Sequence, residues 1–148
     1  MGKNLYDFVL DCSITMAWCF EDESTNYTDK ILDSLNNSTA VVPTIWPLEV
    51  ANVLLMSKKH KRITEVQSAS FIDALSALPI VVDPSTTAKA MHSIFALAGE
   101  LDLTIYDATY LELAAREKIP LFTLDKALIR AAKKLNILLQ PLPHFSEK

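Results

Sequence analysis

Apolar positions along the chain alternate between short unbroken runs and longer stretches with helical spacing. The runs Phe8-Val9-Leu10, Val41-Val42, Ile80-Val81-Val82 and Leu121-Phe122-Thr123 predict buried strands. Ile137-Leu138-Leu139 predicts a last strand. Helices are predicted over 13–20 and, after the acidic turn Glu21-Asp22-Glu23, over 25–36 through Tyr27, Ile31, Leu32 and Leu35. Pro43 stops the second strand, and Pro47 suits the first position of a helix running to about Lys59. Pro79 ends a helix over 64–78, and Pro120 introduces the fourth strand. Further helices are predicted over 86–99 with Gly99 as C-terminal cap, over 106–117, and from an Asp125 cap to Leu135.

Short apolar strands alternating with helices predict an α/β fold: three layers, α/β/α, around a central parallel sheet covered on both faces. Crossovers should be right-handed. No repeat, linker or low-complexity tract interrupts residues 1–148, so one domain is expected. Ligands of open α/β sheets bind beyond the carboxyl ends of the strands, which is where the chemistry should lie.

Composition narrows the classes. The 148 residues are 50% hydrophobic and 22% charged, enough for a full core and too apolar for disorder. No apolar run approaches the ~18 residues of a membrane span, and residues 1–7 lack a signal peptide's apolar region, so a cytoplasmic protein is expected. Tyr6 stands where a myristoylation motif wants Ser or Thr. Gly2 and Gly99 are the only glycines, which excludes a glycine-rich phosphate loop. Cys12 and Cys19 are too few for a disulfide framework and lack metal spacing; they read as small buried residues in a reducing compartment.

The net charge of −4 argues against a simple nucleic-acid coat, but the charges are segregated. Residues 1–57 hold two lysines against eight acids, hence −6, whereas Lys58-Lys59-His60-Lys61-Arg62 carries +4.

Four acids fall where ligands bind. Asp11 and Asp125 close strands, Glu49 lies in the first turn after Pro47, and Asp107 opens a helix. Each has an ordinary alternative as a helix cap or first-turn acid. Asp11, however, sits between a buried strand and an apolar helix, and Asp107 shares a face with Leu111 and Ala114. Two carboxylates ~5 Å apart repel by about 3 kcal/mol at an effective dielectric of ~20, so four converging acids need protons or cations. A hard cation, Mg²⁺ or Mn²⁺, suits oxygen ligands unaccompanied by His or Cys. His60, His92 and His144 form no zinc pattern and read as surface or structural residues.

The segments Val-Leu-Asp-Cys-Ser (9–13), Pro-Leu-Glu-Val-Ala-Asn (47–52), Leu-Thr-Ile-Tyr-Asp-Ala-Thr-Tyr-Leu-Glu-Leu-Ala (103–114) and Phe-Thr-Leu-Asp (122–125) resemble, in order, the four motifs of the PIN domain. Within that family the chain is most similar to small stand-alone VapC-type toxins of toxin–antitoxin pairs. The resemblance implies a PIN-like fold and a Mg²⁺- or Mn²⁺-dependent ribonuclease leaving a 5′-phosphate and a 3′-hydroxyl. It makes Asp11, Glu49, Asp107 and Asp125 the metal-binding and catalytic acids, with Ser13 and Thr123 orienting them. Asn52, on the face of Glu49, joins them as a supporting residue. Cys12 departs from the Thr or Ser common at its position. A homodimer and an antitoxin partner follow from the resemblance alone, with the helices at 13–20 and 47–56 offered to the antitoxin.

An acidic site needs basic groups nearby to take RNA. Lys126, Arg130, Lys133 and Lys134 share one helical face, opposite Ala127, Leu128, Ala131 and Leu135. Lys58, Lys59, Lys61 and Arg62 form a second candidate cluster; either also fits a solvated face. Trp18, Phe20, Trp46, Tyr106 and Tyr110 lie near the motifs, where core packing is favoured over base stacking. A haloacid-dehalogenase phosphatase wants an acid where Ser13 stands. A receiver domain wants paired acids after the first strand, although Asp83 imitates its phosphorylated residue. The principal alternative is a non-catalytic PIN-fold module binding RNA or protein. Lost acids would mark it, and none is lost.

Overall fold

The computed structural model describes residues 4–140. His144 and the ends of the predicted 1–148 domain lie outside them. The elements run β1 (Phe8–Leu10), α1 (Cys12–Cys19), a 3₁₀ turn (Glu21–Glu23), α2 (Asn26–Ser34), β2 (Ala40–Val42), α3 (Ile45–Lys59), α4 (Glu65–Ser76) and β3 (Ile80–Val82). Then follow α5 (Thr86–Lys89), a π turn (Ala90–Ile94), α6 (Phe95–Leu101), α7 (Ile105–Glu117), β4 (Leu121–Phe122) and α8 (Lys126–Lys134). The four strands form one parallel sheet in the order β3-β2-β1-β4. The architecture is the expected α/β/α. Among the described residues no helix is long and apolar enough to cross a membrane.

β1 and β2 are wholly buried, and Phe8 packs on Phe122 of β4 with ring centroids 4.7 Å apart. α7 packs on β1 and β4, while α1 packs against α2 and α3. The register aligns Val9 with Val41 and Leu121, and Val41 with Val81. Two residues beyond that row stand Asp11, Thr123 and Asp83, at the strands' carboxyl ends.

Several elements differ from expectation. Residues 137–139 are not a strand: Leu138 O accepts from Leu121 N at 2.9 Å, but among the described residues no N–H of this segment returns a bond to β4, so a single contact stands where a ladder would need two. The sheet is also not covered throughout, since Val81 and Val82 on edge strand β3 are exposed. Pro47 is the third residue of α3 rather than the first; its missing N–H is still one that no intrahelical carbonyl would take. The helix predicted over 86–99 is broken by the π turn. Gly99 lies inside α6, which ends at Asp102.

With so little glycine, the chain turns out of its helices on other residues. Lys61, Asp102, Lys118 and Asn136 take left-handed backbone, with φ of 59°, 55°, 58° and 59°. After each, the next N–H reaches back five residues: Arg62 to Ser57, Leu103 to Ala98, Ile119 to Ala114, Ile137 to Ala132. Left-handed backbone strains any residue with a Cβ. Lys118→Gly should therefore stabilise the protein by roughly 0.5–1 kcal/mol in urea denaturation, the strain relieved less the freedom Gly adds to the unfolded chain. No gain would mean that Lys118 is held there without strain.

Candidate active site

Asp11 leaves β1 in extended backbone and caps α1, accepting from Ser13 N at 3.4 Å. Its Oδ2 also accepts from Ser13 Oγ at 2.5 Å and from Thr123 Oγ1 at 2.8 Å. Both hydroxyls work twice. Ser13 Oγ accepts from Leu124 N at 2.9 Å, and Thr123 Oγ1 accepts from Asp125 N at 3.0 Å. Adjacent strand ends β1 and β4 are thereby fastened through one carboxylate. Asp11 is 7% exposed, and every hydrogen bond to its carboxylate falls on Oδ2. Among the described residues no fully buried side-chain oxygen lacks a partner, so Oδ1, which accepts no hydrogen bond, keeps some contact with solvent.

Asp125 caps α8 through Oδ1, which accepts from Leu128 N at 3.0 Å. The ordinary reading of this acid is realised alongside its place in the site. Asp107 is not needed as a cap: Thr104 takes that role, accepting from the Asp107 N–H at 3.1 Å. Glu49, half-buried on α3, accepts from the Tyr110 hydroxyl at Oε1.

The acids feel one another. Burial pushes the Asp11 carboxyl above its ordinary value; hydrogen bonds from Ser13 and Thr123 oppose this, and the charge of Asp125 adds to it. Burial also raises Glu49, against the Tyr110 bond, with Asp11 and Asp107 adding repulsion. Asp107 is raised by burial, then by Asp125 and Asp11, with relief from Thr104. Cys12 is pushed up to about 12 by burial and by Glu49 and Asp11, an inert thiol as expected. The four acids thus share one electrostatic neighbourhood. They do not form a closed cage: among the described residues no three His, Cys, Asp or Glu side chains gather closely enough to hold a metal ion. In kind they fit a hard cation: all four are oxygen donors, Asp11, Glu49 and Asp107 have raised carboxyls, and Asp11 Oδ1 accepts no hydrogen bond.

The family model for the PIN domain matches residues 8–134. The chain belongs to the PIN domain family. PIN domains are generally nucleases. Among solved structures it resembles PAE2754 from Pyrobaculum aerophilum, at 20% identity and TM-score 0.64 over 85% of this chain and 79% of that one. It also resembles VapBC2 from Rickettsia felis bound to a DNA fragment from their promoter, at 19% identity and TM-score 0.66 over 90% and 96%. At such identities the likeness is one of fold. A search of curated proteins finds no match.

Around the acids of this PIN domain, the supporting residues separate. Ser13 and Thr123 hold Asp11, whereas Asn52 is exposed and bonds to none of the acids. Lys126, Arg130, Lys133 and Lys134 are exposed on α8, and no ion pair among the described residues engages them. The 58–62 cluster is partly spent. Lys58 pairs with Glu65 at 2.7 Å; Arg62 pairs with Asp22 and Glu23 at 2.9 Å each and lies 3.8 Å over the Phe20 ring. Lys59 and Lys61 remain exposed beside them.

Sequence reasoning missed three features. Trp46 Nε1 donates to Thr15 Oγ1 at 3.0 Å, pinning α3 to α1. Buried Asp83 accepts from Arg116 Nη2 at 2.8 Å, and Arg116 also pairs with Glu112; only the i,i+4 spacing of that second pair was visible in the sequence. Burial opposes ionisation of Asp83, but Arg116 and Ser85 outweigh it and hold the carboxyl low. Finally, each of three site acids follows an exposed apolar residue: Leu48 (65%), Tyr106 (60%) and Leu124 (40%). Tyr110, Trp46 and Phe20 are core residues, as favoured; Trp18 is half-buried and donates to Thr28 O. Tyr106 is left as the exposed ring beside the acids.

Proposed function

We propose that this PIN domain is a Mg²⁺- or Mn²⁺-dependent endoribonuclease of the VapC type, the toxin of a toxin–antitoxin pair. The observation that carries the reading is the Asp11 carboxylate, locked through Oδ2 with Oδ1 accepting no hydrogen bond, within electrostatic reach of Glu49, Asp107 and Asp125. These four residues would hold the cation. Bound there, it would neutralise charge on a phosphodiester and acidify a water. Glu49, whose Oε2 accepts no hydrogen bond, would give that oxygen to the cation or orient the attacking water. Tyr106 offers a face for an unpaired base, and the α8 cations offer contacts to phosphate.

The VapBC neighbour supports antitoxin partnering. For the docking segment, α1 is largely buried and does not serve, whereas α3 and α4 flank an apolar groove of about 300 Å³ lined by Trp46, Val50, Leu54, Ile72 and Leu75. Exposed Val81, Val82, Met91 and Phe95 supply apolar surface for a homodimer. A cytoplasmic setting suits a ribonuclease of this type.

The test incubates purified protein with a mixed RNA pool plus Mn²⁺ or Mg²⁺, and with chelator, beside Asp11→Asn. Metal-dependent cleavage that the variant loses supports the enzyme. RNA or protein binding without cleavage would replace it with the non-catalytic module. In the same assay, Lys126→Glu with Arg130→Glu should weaken RNA binding about tenfold or more and lower the salt slope by one to two phosphate contacts. An unchanged slope would remove α8 from the RNA path.

A further inference from the structure

The geometry points to Tyr110 as the positioning residue for Glu49, holding its carboxylate so that Oε2 faces the shared acidic site. This assignment rests on the nuclease reading above and adds to it a residue that touches neither metal nor RNA. Asp11 is fixed by two hydroxyls, Ser13 in the first turn of α1 and Thr123 just past β4, but Glu49 has no such arrangement. It projects from α3 on three rotatable bonds. Among the described residues the Tyr110 hydroxyl gives the one hydrogen bond its carboxylate receives, and that bond falls on Oε1.

Tyr110 is well built for the task. It is 1% exposed and belongs to the main core, so its ring cannot swing away. It lies three residues after Asp107 on α7, so one helical face presents an acid to the site and anchors the acid from α3. An ionised carboxylate only accepts, and the phenol supplies a donor that points at a single oxygen. Meanwhile the Trp46–Thr15 bond pins the start of α3 to the helix that follows Asp11. The backbone under Glu49 and the tip of its side chain are therefore both held, from different elements. Partners of this kind around metal ligands typically matter by ~10–100-fold in affinity or activity.

The test is Tyr110→Phe, which keeps the ring and removes only the hydroxyl. Mn²⁺ binding is measured by calorimetry without RNA, and thermal melting in chelator verifies the fold. The expected result is Mn²⁺ affinity about tenfold weaker than wild type. In a Glu49→Gln background the same substitution should change Mn²⁺ affinity little, because the carboxylate that it orients is gone. Glu49→Asp, too short to reach the phenol, should weaken Mn²⁺ binding even if Tyr110→Phe fails to fold. Wild-type Mn²⁺ affinity in a folded Tyr110→Phe, or an equal loss with and without Glu49, would overturn the assignment alone. A wild-type protein that neither binds Mn²⁺ nor cleaves RNA would overturn the nuclease reading and this role with it.

Discussion

Asp107→Asn is expected to reduce RNA cleavage at least ~1000-fold, about 4 kcal/mol of transition-state stabilisation, while making the metal-free protein more stable. Both effects come from the same charge. Asp107 is raised by burial and by its neighbours Asp125 and Asp11, so ionising it in the folded state is unfavourable. Asn removes that cost and keeps the shape. The structure gives no reason for the fold to suffer, because Thr104 caps α7 through the Asp107 backbone N–H, which the substitution leaves intact. Asp107 is only half-buried and its charge is partly screened by water, so the gain should be a few tenths of a kcal/mol, about 1–2 °C in Tm. Paired cleavage assays and chelated melts check it. Retained activity would remove Asp107 from the mechanism, and a lower Tm would show that its carboxylate has a structural role.

Half of this candidate site was legible from the strands alone, because Asp11 and Asp125 follow the strand rule, whereas Glu49 on α3 and Asp107 on α7 were legible only by motif. A short apolar run that stops on an acid places that acid at the sheet's carboxyl edge, and Asp11 stands there. Thr123 and Ser13 were legible by motif, and the structure shows their work as bridges between β1 and β4. What stayed hidden depends on contacts distant in sequence. Tyr110 reaches Glu49 across 61 positions, and nothing in either segment announces the pair. The 58–62 run looked uniformly basic, but Arg62 folds back onto Asp22, Glu23 and Phe20. The apolar run 137–139 reads as a strand, but periodicity does not report whether a neighbouring strand receives the return hydrogen bonds, and here β4 receives none. Gly99 reads as a cap in a glycine-poor chain, whereas left-handed Asp102, three positions later, carries the turn.

Metal and proton should compete visibly for these carboxylates. Mn²⁺ at about a hundred times its dissociation constant adds ~2.7 kcal/mol by mass action, or roughly 6–10 °C in Tm for a chain of this size. Without metal, pH acts instead. Asp11, Glu49 and Asp107 have folded-state values above their ordinary 3.8, 4.5 and 3.8, so the folded protein binds protons more readily than the unfolded chain. Their cost to stability is present in full above the raised values and is relieved as pH falls through them. The chelated protein should therefore become more stable as pH falls from neutrality through these raised values. Asp83 has the opposite sign: its carboxyl is held low, and the stability it contributes is lost as pH falls below 3.8 toward its folded value. Stability should pass through a maximum on the acid side of neutrality. With saturating Mn²⁺ the neutral-to-acid slope should reverse, since protonating the ligands expels the cation. A Tm indifferent to both Mn²⁺ and pH would take the cation out of this site, and the ribonuclease mechanism would go with it.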